Sequence, residues 1–369
     1  MKKRLSKNIE WSILICTILL VIIGLIALFS ATQNAEYDEL KKQILWVFIS
    51  IPFIIAFVLI DYETIANFSP IFYIVMIILL IGVLFTEPIN GATSWYSLGF
   101  ASIQPAEFSK IFVIILLALV MSKMAAKGRK EISRPTRLLM LIGIIAIPVL
   151  LIIKQPDYGT ALAFLVAFIM MLFAAGIDKK YIIAGILLVV ITLPIVYFFV
   201  LPDHAKRRIE VFLNQDLDPR GAGYNLTQSK LDIGAGQLFG MGLLKGNQTQ
   251  LGYLSPKTTD FIYSVIGEEM GFLVAAAIII LYVVLITKAI YVAKTAKDNL
   301  GSYIAIGIAG IFLFHMTENI GMTIGLLPIT GVPLPFVSYG GSSLLCNLIM
   351  IAILLNISGR RQKAIFMEE

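Results

Sequence analysis

Charged residues are scarce in this chain. They make up 14% of its 369 residues, whereas hydrophobic residues make up 59% and the mean hydropathy is +0.90. A soluble domain cannot bury that much apolar surface, so the composition excludes a soluble globular protein and indicates one that crosses a membrane many times. Strand-type alternation of apolar and polar residues is also absent, which excludes an outer-membrane barrel.

Cysteine and histidine are equally sparse, with two residues of each. Cys16 and Cys346 lie inside apolar segments, where a thiol usually acts as a small core residue, so we expect neither a disulfide nor a thiolate metal site. His204 lies in a polar loop and His315 in an apolar segment. The sequence therefore predicts no histidine metal site, and the ligands of any metal are unknown from it.

Long apolar stretches dominate what is present. About 20 apolar residues form a helix that crosses the hydrocarbon core of a membrane. We predict ten such helices, near residues 11–31, 43–60, 67–85, 106–122, 138–153, 160–177, 181–201, 261–287, 301–326 and 341–358. The predicted fold is all-α: a polytopic membrane protein with about ten transmembrane helices and one large extracytoplasmic loop.

Basic residues gather at alternate ends of these helices, in residues 2–7, 123–137, 179–180, 288–297 and 360–363. The positive-inside rule places these segments, and with them both termini, in the cytoplasm. This placement accounts for the net charge of +6, so we expect no nucleic-acid partner. The first apolar run is longer than that of a signal peptide, and we expect it to be retained as an anchor.

The one long loop spans about residues 202–259 and is predicted to lie outside the cytoplasm. Its aromatic and aliphatic residues are interleaved with arginine and lysine, which argues against disorder, and loops of this length are usually functional when ordered. Residues 234–242 are amphipathic and rich in glycine, so they could lie along the outer interface or dip into it. No internal repeat is visible, and we predict a single membrane domain over residues 1–369.

Asp260 is the first candidate for a catalytic group, because it is a carboxylate where this polar loop meets an apolar helix. On a helix that begins near Asp260, the small residues at 264, 267 and 271 share its face and would leave room beside it. Glu268 and Glu269 follow roughly 12 Å deeper at 1.5 Å per residue. Carboxylates inside a membrane are candidates for function, although structural hydrogen bonds between helices explain these two equally well.

Glu107 and Lys110 begin the fourth predicted span and are spaced to form an ion pair. For Glu107 we favour a structural pair that fixes the helix, whereas Lys110 could present its ammonium group to an anionic ligand. Asp157 stands just before the sixth span, where it is a plausible N-cap. Its predicted position on the same membrane face as Asp260 keeps it as a secondary candidate.

The ninth span carries His315 and Glu318, for which we favour a buried polar bridge. Residues 325–343 follow it with three prolines and clustered glycines, which predicts a rigid, irregular turn that forms one wall of a site and includes Ser338.

Several cations of the long loop are candidates for binding an anionic group, namely Arg207, Arg208 and Lys257. Such charges are usually only solvated. If they cluster near Asp260, however, they could neutralise a pyrophosphate leaving group.

Taken together, these segments resemble the SEDS family, the RodA and FtsW group of bacterial cell-wall polymerases. The matching stretches are residues 103–107 with Lys110, 155–161, 259–262 with 267–269, and 325–343. The resemblance covers essentially the whole chain, and residues 327–335 look like the version found in RodA, the elongation member. Thr258 is a departure, because many relatives have histidine there.

The resemblance implies a peptidoglycan glycosyltransferase that polymerises lipid II at the outer face of the cytoplasmic membrane and releases undecaprenyl pyrophosphate. It also implies a class B penicillin-binding protein as partner, other membrane proteins of the elongation complex, and possible dependence on a divalent cation (Mg²⁺ or Mn²⁺). Asp260 would be the general base. Lys110, oriented by Glu107, would offset the charge of the pyrophosphate, with Arg207 and Arg208 as weaker candidates.

Two other functions fit the same pattern. A flippase would move lipid II across the bilayer without bond chemistry, and intramembrane glutamates are compatible with transport. A non-catalytic scaffold would only activate the penicillin-binding protein. Asp260 favours the polymerase, because neither alternative needs a base at the outer mouth.

Overall fold

The computed structural model describes residues 9–88, 93–97, 99, 102–128 and 131–361. Its helices are α1 (Trp11–Ala31), α2 (Asp38–Leu59), α3 (Tyr62–Gly82), α4 (Pro105–Ala125), α5 (Pro135–Lys154), α6 (Tyr158–Ala174), α7 (Lys179–Ile195), α8 (Asp203–Leu213), α9 (Ala222–Ala235), α10 (Asn247–Leu251), α11 (Ile262–Lys294), α12 (Asn299–Thr323) and α13 (Gly341–Arg360). The described strands are β1 (Tyr96–Ser97) and β2 (Ser102–Ile103), which pair antiparallel.

Every predicted span has its helix. Among the described residues nine helices are long and apolar enough to cross a membrane, and α6, with 17 residues, is shorter but equally apolar. The chain is thus a multi-pass membrane protein with an all-α fold. Prolines inside α2, α3, α5 and α7 are tolerated because neighbouring groups in a helix bundle can satisfy the freed carbonyls.

The helices differ in how much of their surface is buried. α4, α12 and α13 form the centre of the bundle and are buried over most of their length, whereas α2, α3, α5 and α7 expose rows of large apolar side chains. That exposure is what a lipid environment requires, since lipid tails are as apolar as these side chains.

Both ends of the described chain meet on one face of the bundle. Glu10 accepts from Lys288 at 2.9 Å and from Arg361 at 3.4 Å, and Glu63 pairs with Lys297 at 2.8 Å on the same face. Ten crossings return the chain to the side where it began. The structure thus puts both ends on one face, and that this face is cytoplasmic stays a prediction from the distribution of basic residues.

The opposite face carries the long loop, which is ordered as predicted and contains α8, α9 and α10. Residues 237–242 of this loop contact a break in α11 at Gly271, whose φ is 79°. Amides at 272 and 273 donate to carbonyls at 237 and 238, and amides at 241 and 242 donate to carbonyls at 268 and 269. These bonds satisfy backbone groups that the break frees inside a membrane-spanning helix.

This contact corrects one prediction. The small residues that share a face of α11 do not leave space beside Asp260, because α9 and the loop fill it. Ser264 is hydrogen-bonded to Ser229 at 2.6 Å, Ile233 packs on Gly267, and Gly240 contacts the backbone at Gly271. Small side chains here allow two backbones to approach closely.

Candidate active site

A cavity of about 600 Å³ opens on the loop-bearing face of the bundle. Its lining comes from the start of α2, from Arg208 of α8, from residues within 156–160 and 256–260, and from residues 330–333 and 339–343 of the turn. The segment before α4 adds Ser94, Trp95, Gly99, Ser102, Gln104 and Glu107. Because many of these segments are irregular loops at the ends of helices, they present backbone and side-chain polar groups that the apolar helices cannot. The cavity therefore has a mixed lining, in which polar groups lie beside apolar side chains.

Asp260 lines this cavity, with its side chain half-buried. The segment around it is fixed on both sides. Asn319 Nδ2 donates to the Asp260 carbonyl at 2.9 Å and to the Val332 carbonyl at 2.8 Å, and Ser338 Oγ donates to the Thr259 carbonyl at 2.6 Å. Asp260 is therefore a carboxylate on a rigid support, as a catalytic group needs.

The surroundings of Asp260 raise its pKa above the ordinary value of 3.8. Burial is the main cause, because it disfavours the charged form, and the negative charge of Asp157 adds to it. The Thr259 hydroxyl and the Arg208 guanidinium act in the opposite direction. A raised pKa makes this carboxylate a better proton acceptor than an exposed aspartate.

Asp157 lies on the same cavity and is the N-cap of α6, as predicted. Its Oδ1 accepts from the Thr160 amide at 3.0 Å and its Oδ2 from Gln104 Nε2 at 2.8 Å. Burial raises the pKa of Asp157, and the negative charge of Glu107 contributes to the rise. Since both of its oxygens are engaged, Asp157 is better suited to shaping the cavity than to taking a proton.

Glu107 and Lys110 form the predicted ion pair, with Lys110 Nζ 2.8 Å from Glu107 Oε1. Glu107 reaches the cavity wall, and its Oε2 has no partner among the residues that the structure describes. Lys110 is fully buried beneath it, and its Nζ also lies 3.0 Å from His315 Nε2. The structure therefore places Lys110 behind Glu107, not at the wall where an anionic ligand would bind.

Of the predicted cations, Arg208 alone lines the cavity, where its Nη1 donates to the Thr330 carbonyl at 3.4 Å. Arg207 points to Asp218, at 3.9 Å, and Lys257 donates to the Thr249 carbonyl at 2.7 Å. Ser338 is likewise buried away from the cavity and ties the turn to Thr259.

Sequence reasoning missed a group of cavity residues on α2 and near β1. They are Glu39, Lys42, Trp46 and Trp95, whereas Tyr339 of the same cavity belongs to the turn that was predicted to form a wall. Lys42 pairs with Asp38 at 2.6 Å and keeps 44% of its side chain exposed, so it is a second cation available to a ligand. The sequence did contain an indication of this group. Glu39 and Lys42 begin an apolar span, and charged side chains there need a polar site or solvent because lipid does not accommodate them.

Glu268 and Glu269 take no part in the cavity. Glu268 accepts from the amides of Gln248 and Thr249 and from the Thr249 hydroxyl, at 2.6–3.0 Å. Glu269 accepts from the amides of residues 244 and 246 and from the side chain of Gln250. Of the two interpretations, the structural one holds, although the partners belong to the long loop instead of a neighbouring span.

The polar residues of α12 bond to two different neighbours. Glu318 accepts from Thr330 Oγ1 of the turn at 2.8 Å, whereas His315 Nε2 lies 3.0 Å from Lys110 Nζ of α4, so both side chains form buried polar bridges, as predicted. Within the described residues, no group of three or more His, Cys, Asp or Glu side chains could hold a metal ion.

The profile of the FtsW, RodA and SpoVE cell cycle proteins matches residues 10–363. The chain belongs to this family. The resemblance of the four motifs is thereby confirmed, since the match includes all of them and nearly the whole chain.

Members of the family with similar sequences include the peptidoglycan glycosyltransferase MrdB of Escherichia coli K12. It is 31% identical over 96% of this chain and 95% of its own length. Peptidoglycan glycosyltransferase RodA of Treponema pallidum is 30% identical over 98% of this chain and 100% of its own. Stage V sporulation protein E of Bacillus subtilis is 34% identical over 94% of this chain and 96% of its own.

Two solved structures share the fold. One belongs to a peptidoglycan synthase complex in which polymerisation and crosslinking are coordinated, with a TM-score of 0.82, 24% identity, and coverage of 95% of this chain and 97% of that one. The other is the rod shape determining protein RodA of Thermus thermophilus, with a TM-score of 0.72, 22% identity, and coverage of 96% and 98%.

Proposed function

We propose that this chain is a peptidoglycan glycosyltransferase that polymerises lipid II into glycan strands at the outer face of the cytoplasmic membrane. The names of relatives at about 30% identity over nearly the full chain support the reaction. The observation that carries the proposal is the position of Asp260, a rigidly held carboxylate of raised pKa in a polar cavity that also contains Arg208 and Lys42. A base and two cations thus line the same cavity, and glycosyl transfer from a pyrophosphate can use both kinds of group.

The reaction divides among these residues. Asp260 takes the proton from the 4-hydroxyl of the acceptor sugar as that oxygen bonds to the anomeric carbon of the donor. The bond from this carbon to the phosphate oxygen breaks, and undecaprenyl pyrophosphate leaves with the electron pair. One well-placed base contributes about 10²–10⁴-fold. Arg208 and Lys42 offset the charge that develops on the pyrophosphate, a role that the sequence had suggested for Lys110 first and for Arg207 and Arg208 as weaker candidates.

Lys110 keeps an indirect role in this arrangement. Its ammonium group holds Glu107 Oε1, and Glu107 Oε2 has no partner among the described residues. Glu107 can then accept a hydrogen bond from a substrate hydroxyl. The rings of Trp46, Trp95 and Tyr339 offer flat apolar surfaces for the sugar units.

We propose that a divalent cation, Mg²⁺ or Mn²⁺, binds in this cavity together with the substrate. Mg²⁺ is often bound through one or two carboxylates together with substrate phosphates instead of a complete protein cage. Four carboxylates line the cavity, namely Glu39, Glu107, Asp157 and Asp260, and one or two of them would supply that partial set. When bound, the ion would neutralise charge on the pyrophosphate.

The proposal extends to location and partners. We place the cavity on the outer face of the cytoplasmic membrane, because basic residues concentrate on the opposite face. We propose a class B penicillin-binding protein as the partner and other membrane proteins of the elongation complex as neighbours. The fold shared with a chain of a peptidoglycan synthase complex supports this proposal. The form of residues 327–335 favours elongation over division or sporulation.

The test is polymerisation of labelled lipid II by the chain co-purified with its penicillin-binding partner, whose transpeptidase is blocked by a β-lactam. Wild type is compared with Asp260→Asn and with Asp216→Asn, which removes an exposed carboxylate of the same loop. We expect chains from wild type and Asp216→Asn, and none from Asp260→Asn. Near-normal chains from Asp260→Asn would refute the assigned base.

The same assay separates the alternatives. A flippase would make no chains in any variant yet would move lipid II across proteoliposome membranes. Glu268, Glu269 and Glu318, which made transport plausible, are occupied by hydrogen bonds to the loop and the turn. A scaffold would leave polymerisation to its partner and show no dependence on Asp260.

A further inference from the structure

One face of α9 packs against the outer half of α11, and an acidic residue lies in the middle of it. This face consists of Leu226, Ser229, Asp232, Ile233 and Gly236, spaced three and four residues apart as on one side of a helix. Ser229 contacts Ser264 at 2.6 Å and donates to the Thr323 carbonyl at 2.7 Å. Gly236 contacts the backbone of α11 at Gly267 directly.

Asp232 has no polar partner in this contact. Its side chain is fully buried, and neither carboxylate oxygen accepts a hydrogen bond from any residue that the structure describes. A buried carboxylate without donors is strongly disfavoured in its charged form, so such groups usually bind a proton instead. Nothing in the cavity chemistry or in the loop contacts of Glu268 uses this group.

The charged neighbours of Asp232 offer no compensation. From α11 the charge that faces it is Glu268, whose two oxygens are already taken by donors from residues 248 and 249. Glu269 points to residues 244–250. α12 contributes the neutral Thr323, and α10 has no charged residue.

Two other charged groups near α9 are engaged elsewhere. Lys230, on α9 itself, donates to Gln215 at the exposed surface. Asp218, four residues before α9, accepts from the Ala222 amide and is paired with Arg207. Within the described part of the chain, Asp232 therefore faces a like charge and no cation.

We propose that Asp232 is a buried proton-binding site, and that its proton is required for α9 to dock against α11. With the proton bound, the neutral carboxyl is compatible with burial beside Glu268. When the proton leaves, two negative charges meet in a site without donors, and the α9 face separates from α11. Residues 237–242 directly follow α9 and satisfy the break at Gly271, so the loop would loosen with it.

The direction of the pH dependence follows from burial and from the charge of Glu268, which raise the pKa of Asp232 from 3.8 to about 7. In the unfolded chain the group loses its proton near 3.8, and in the folded chain near 7. Stability is therefore unaffected by this group below 3.8, falls as pH rises between the two values, and stays constant above about 7. Neutral pH is the range in which the site responds.

Thermal unfolding in detergent tests the proposal, with wild type, Asp232→Ala and Asp216→Asn followed from pH 5 to pH 9. We expect the Tm of wild type and of Asp216→Asn to fall as the pH rises from 5 toward 7. The Tm of Asp232→Ala should not fall in this range, and at pH 8 it should exceed the Tm of wild type. An equal fall in Asp232→Ala would overturn the proposal.

Infrared spectroscopy tests the proton directly. In wild type we expect the stretching band of a protonated carboxyl group at pH 6, and this band should disappear with a midpoint near pH 7. The band should be missing in Asp232→Ala. If Asp232→Ala does not fold, the isosteric Asp232→Asn takes its place in the same titration. A deprotonated group at pH 6, with Tm raised by Mg²⁺ or Na⁺ in wild type, would show a cation site instead.

Lipid II polymerisation provides a further readout, which rests on the proposed function. Turnover is expected to decline above pH 7 in wild type and in Asp216→Asn, and not in Asp232→Ala. The unfolding and infrared measurements need no activity, so failure of the glycosyltransferase proposal would leave them interpretable.

Discussion

Arg207 and Arg208 are neighbours in the chain, yet α8 points them in different directions. Arg208 reaches the cavity and contacts the Thr330 carbonyl, whereas Arg207 is 63% exposed and lies near Asp218. Successive residues on a helix point about 100° apart, so adjacent side chains cannot share one target. Substitution of Arg208 therefore tests the cavity, and substitution of Arg207 is its matched control.

We expect Arg208→Ala to lower lipid II polymerisation by on the order of 10²-fold, because it removes a cation from the region where pyrophosphate charge develops. Arg207→Ala should polymerise lipid II at close to the wild-type rate, because Arg207 does not line the cavity. Its exposed ion pair contributes at most about 1 kcal/mol to stability, so the fold should also be kept. Initial rates at saturating lipid II measure both. Similar losses in the two variants would mean that the loop's overall charge, and not the cavity, binds the substrate.

The pH dependence of turnover should report Asp260. A general base must be ionised, and burial raises the pKa of Asp260, so turnover should fall with decreasing pH at a higher pH than an ordinary aspartate would cause. Arg208 lowers this pKa and Asp157 raises it. The acid limb of the profile should therefore move to higher pH in Arg208→Ala and to lower pH in Asp157→Asn.

Measurement of kcat/KM from pH 4 to pH 8 in the three proteins tests this prediction. Their folding is checked at each pH, because Asp157 also caps α6. Shifts of the limb in the same direction in both variants would contradict the electrostatic argument.

The break in α11 shows how a loop can become part of a membrane-spanning helix. Gly240 and Gly271 contact each other with positive φ values of 81° and 79°, and a Cβ at Gly240 would collide with the Glu269 carbonyl. Glycine is required here both for its conformation and for the close approach of two backbones. Gly234, on the exposed side of α9, differs because a Cβ added there would have no atom within 4 Å among the described residues.

We expect Gly240→Ala to destabilise the protein by more than about 1 kcal/mol, because alanine is strained at positive φ and the carbonyl cannot move freely. Gly234→Ala should be neutral or stabilising by about 0.4–1 kcal/mol, since alanine favours the helix. Thermal unfolding in detergent compares them. A Gly240→Ala protein as stable as wild type would show that residues 237–242 do not hold the break in α11.

The two faces of the bundle carry different chemistry. One gathers the described chain ends and the ion pairs of Glu10 and Glu63, and the other carries the cavity and the long loop. The orientation in the membrane follows from the basic residues and not from the packing, so it needs its own experiment.

Cysteine labelling in intact cells with an impermeant maleimide should establish the orientation. Asp216→Cys, in the long loop, is expected to react from outside, and Lys127→Cys only after the membrane is opened; both positions are exposed. Cys16 and Cys346 are buried and should contribute little background. Labelling of Lys127→Cys in intact cells would invert the proposed topology.

Local features were predictable from the sequence because they depend on neighbours in the chain. The ten helices followed from runs of about 20 apolar residues, which have no other stable form in a bilayer. The Glu107–Lys110 pair followed from a spacing of three residues, and the N-cap at Asp157 from its place before a helix. Asp260 was found because a carboxylate at the start of an apolar helix is unusual.

The composition of the cavity was decided by contacts between distant segments. Lys110 meets His315 across 205 positions, and Gln104 meets Ser342 across 238. The central helices α4, α12 and α13 are buried on nearly all sides, so their apolar pattern does not indicate which face meets which neighbour. The rotation of each helix, set by tertiary packing, placed Arg208 and Lys42 in the cavity, buried Lys110 beneath it, and left Asp232 without a partner among the described residues.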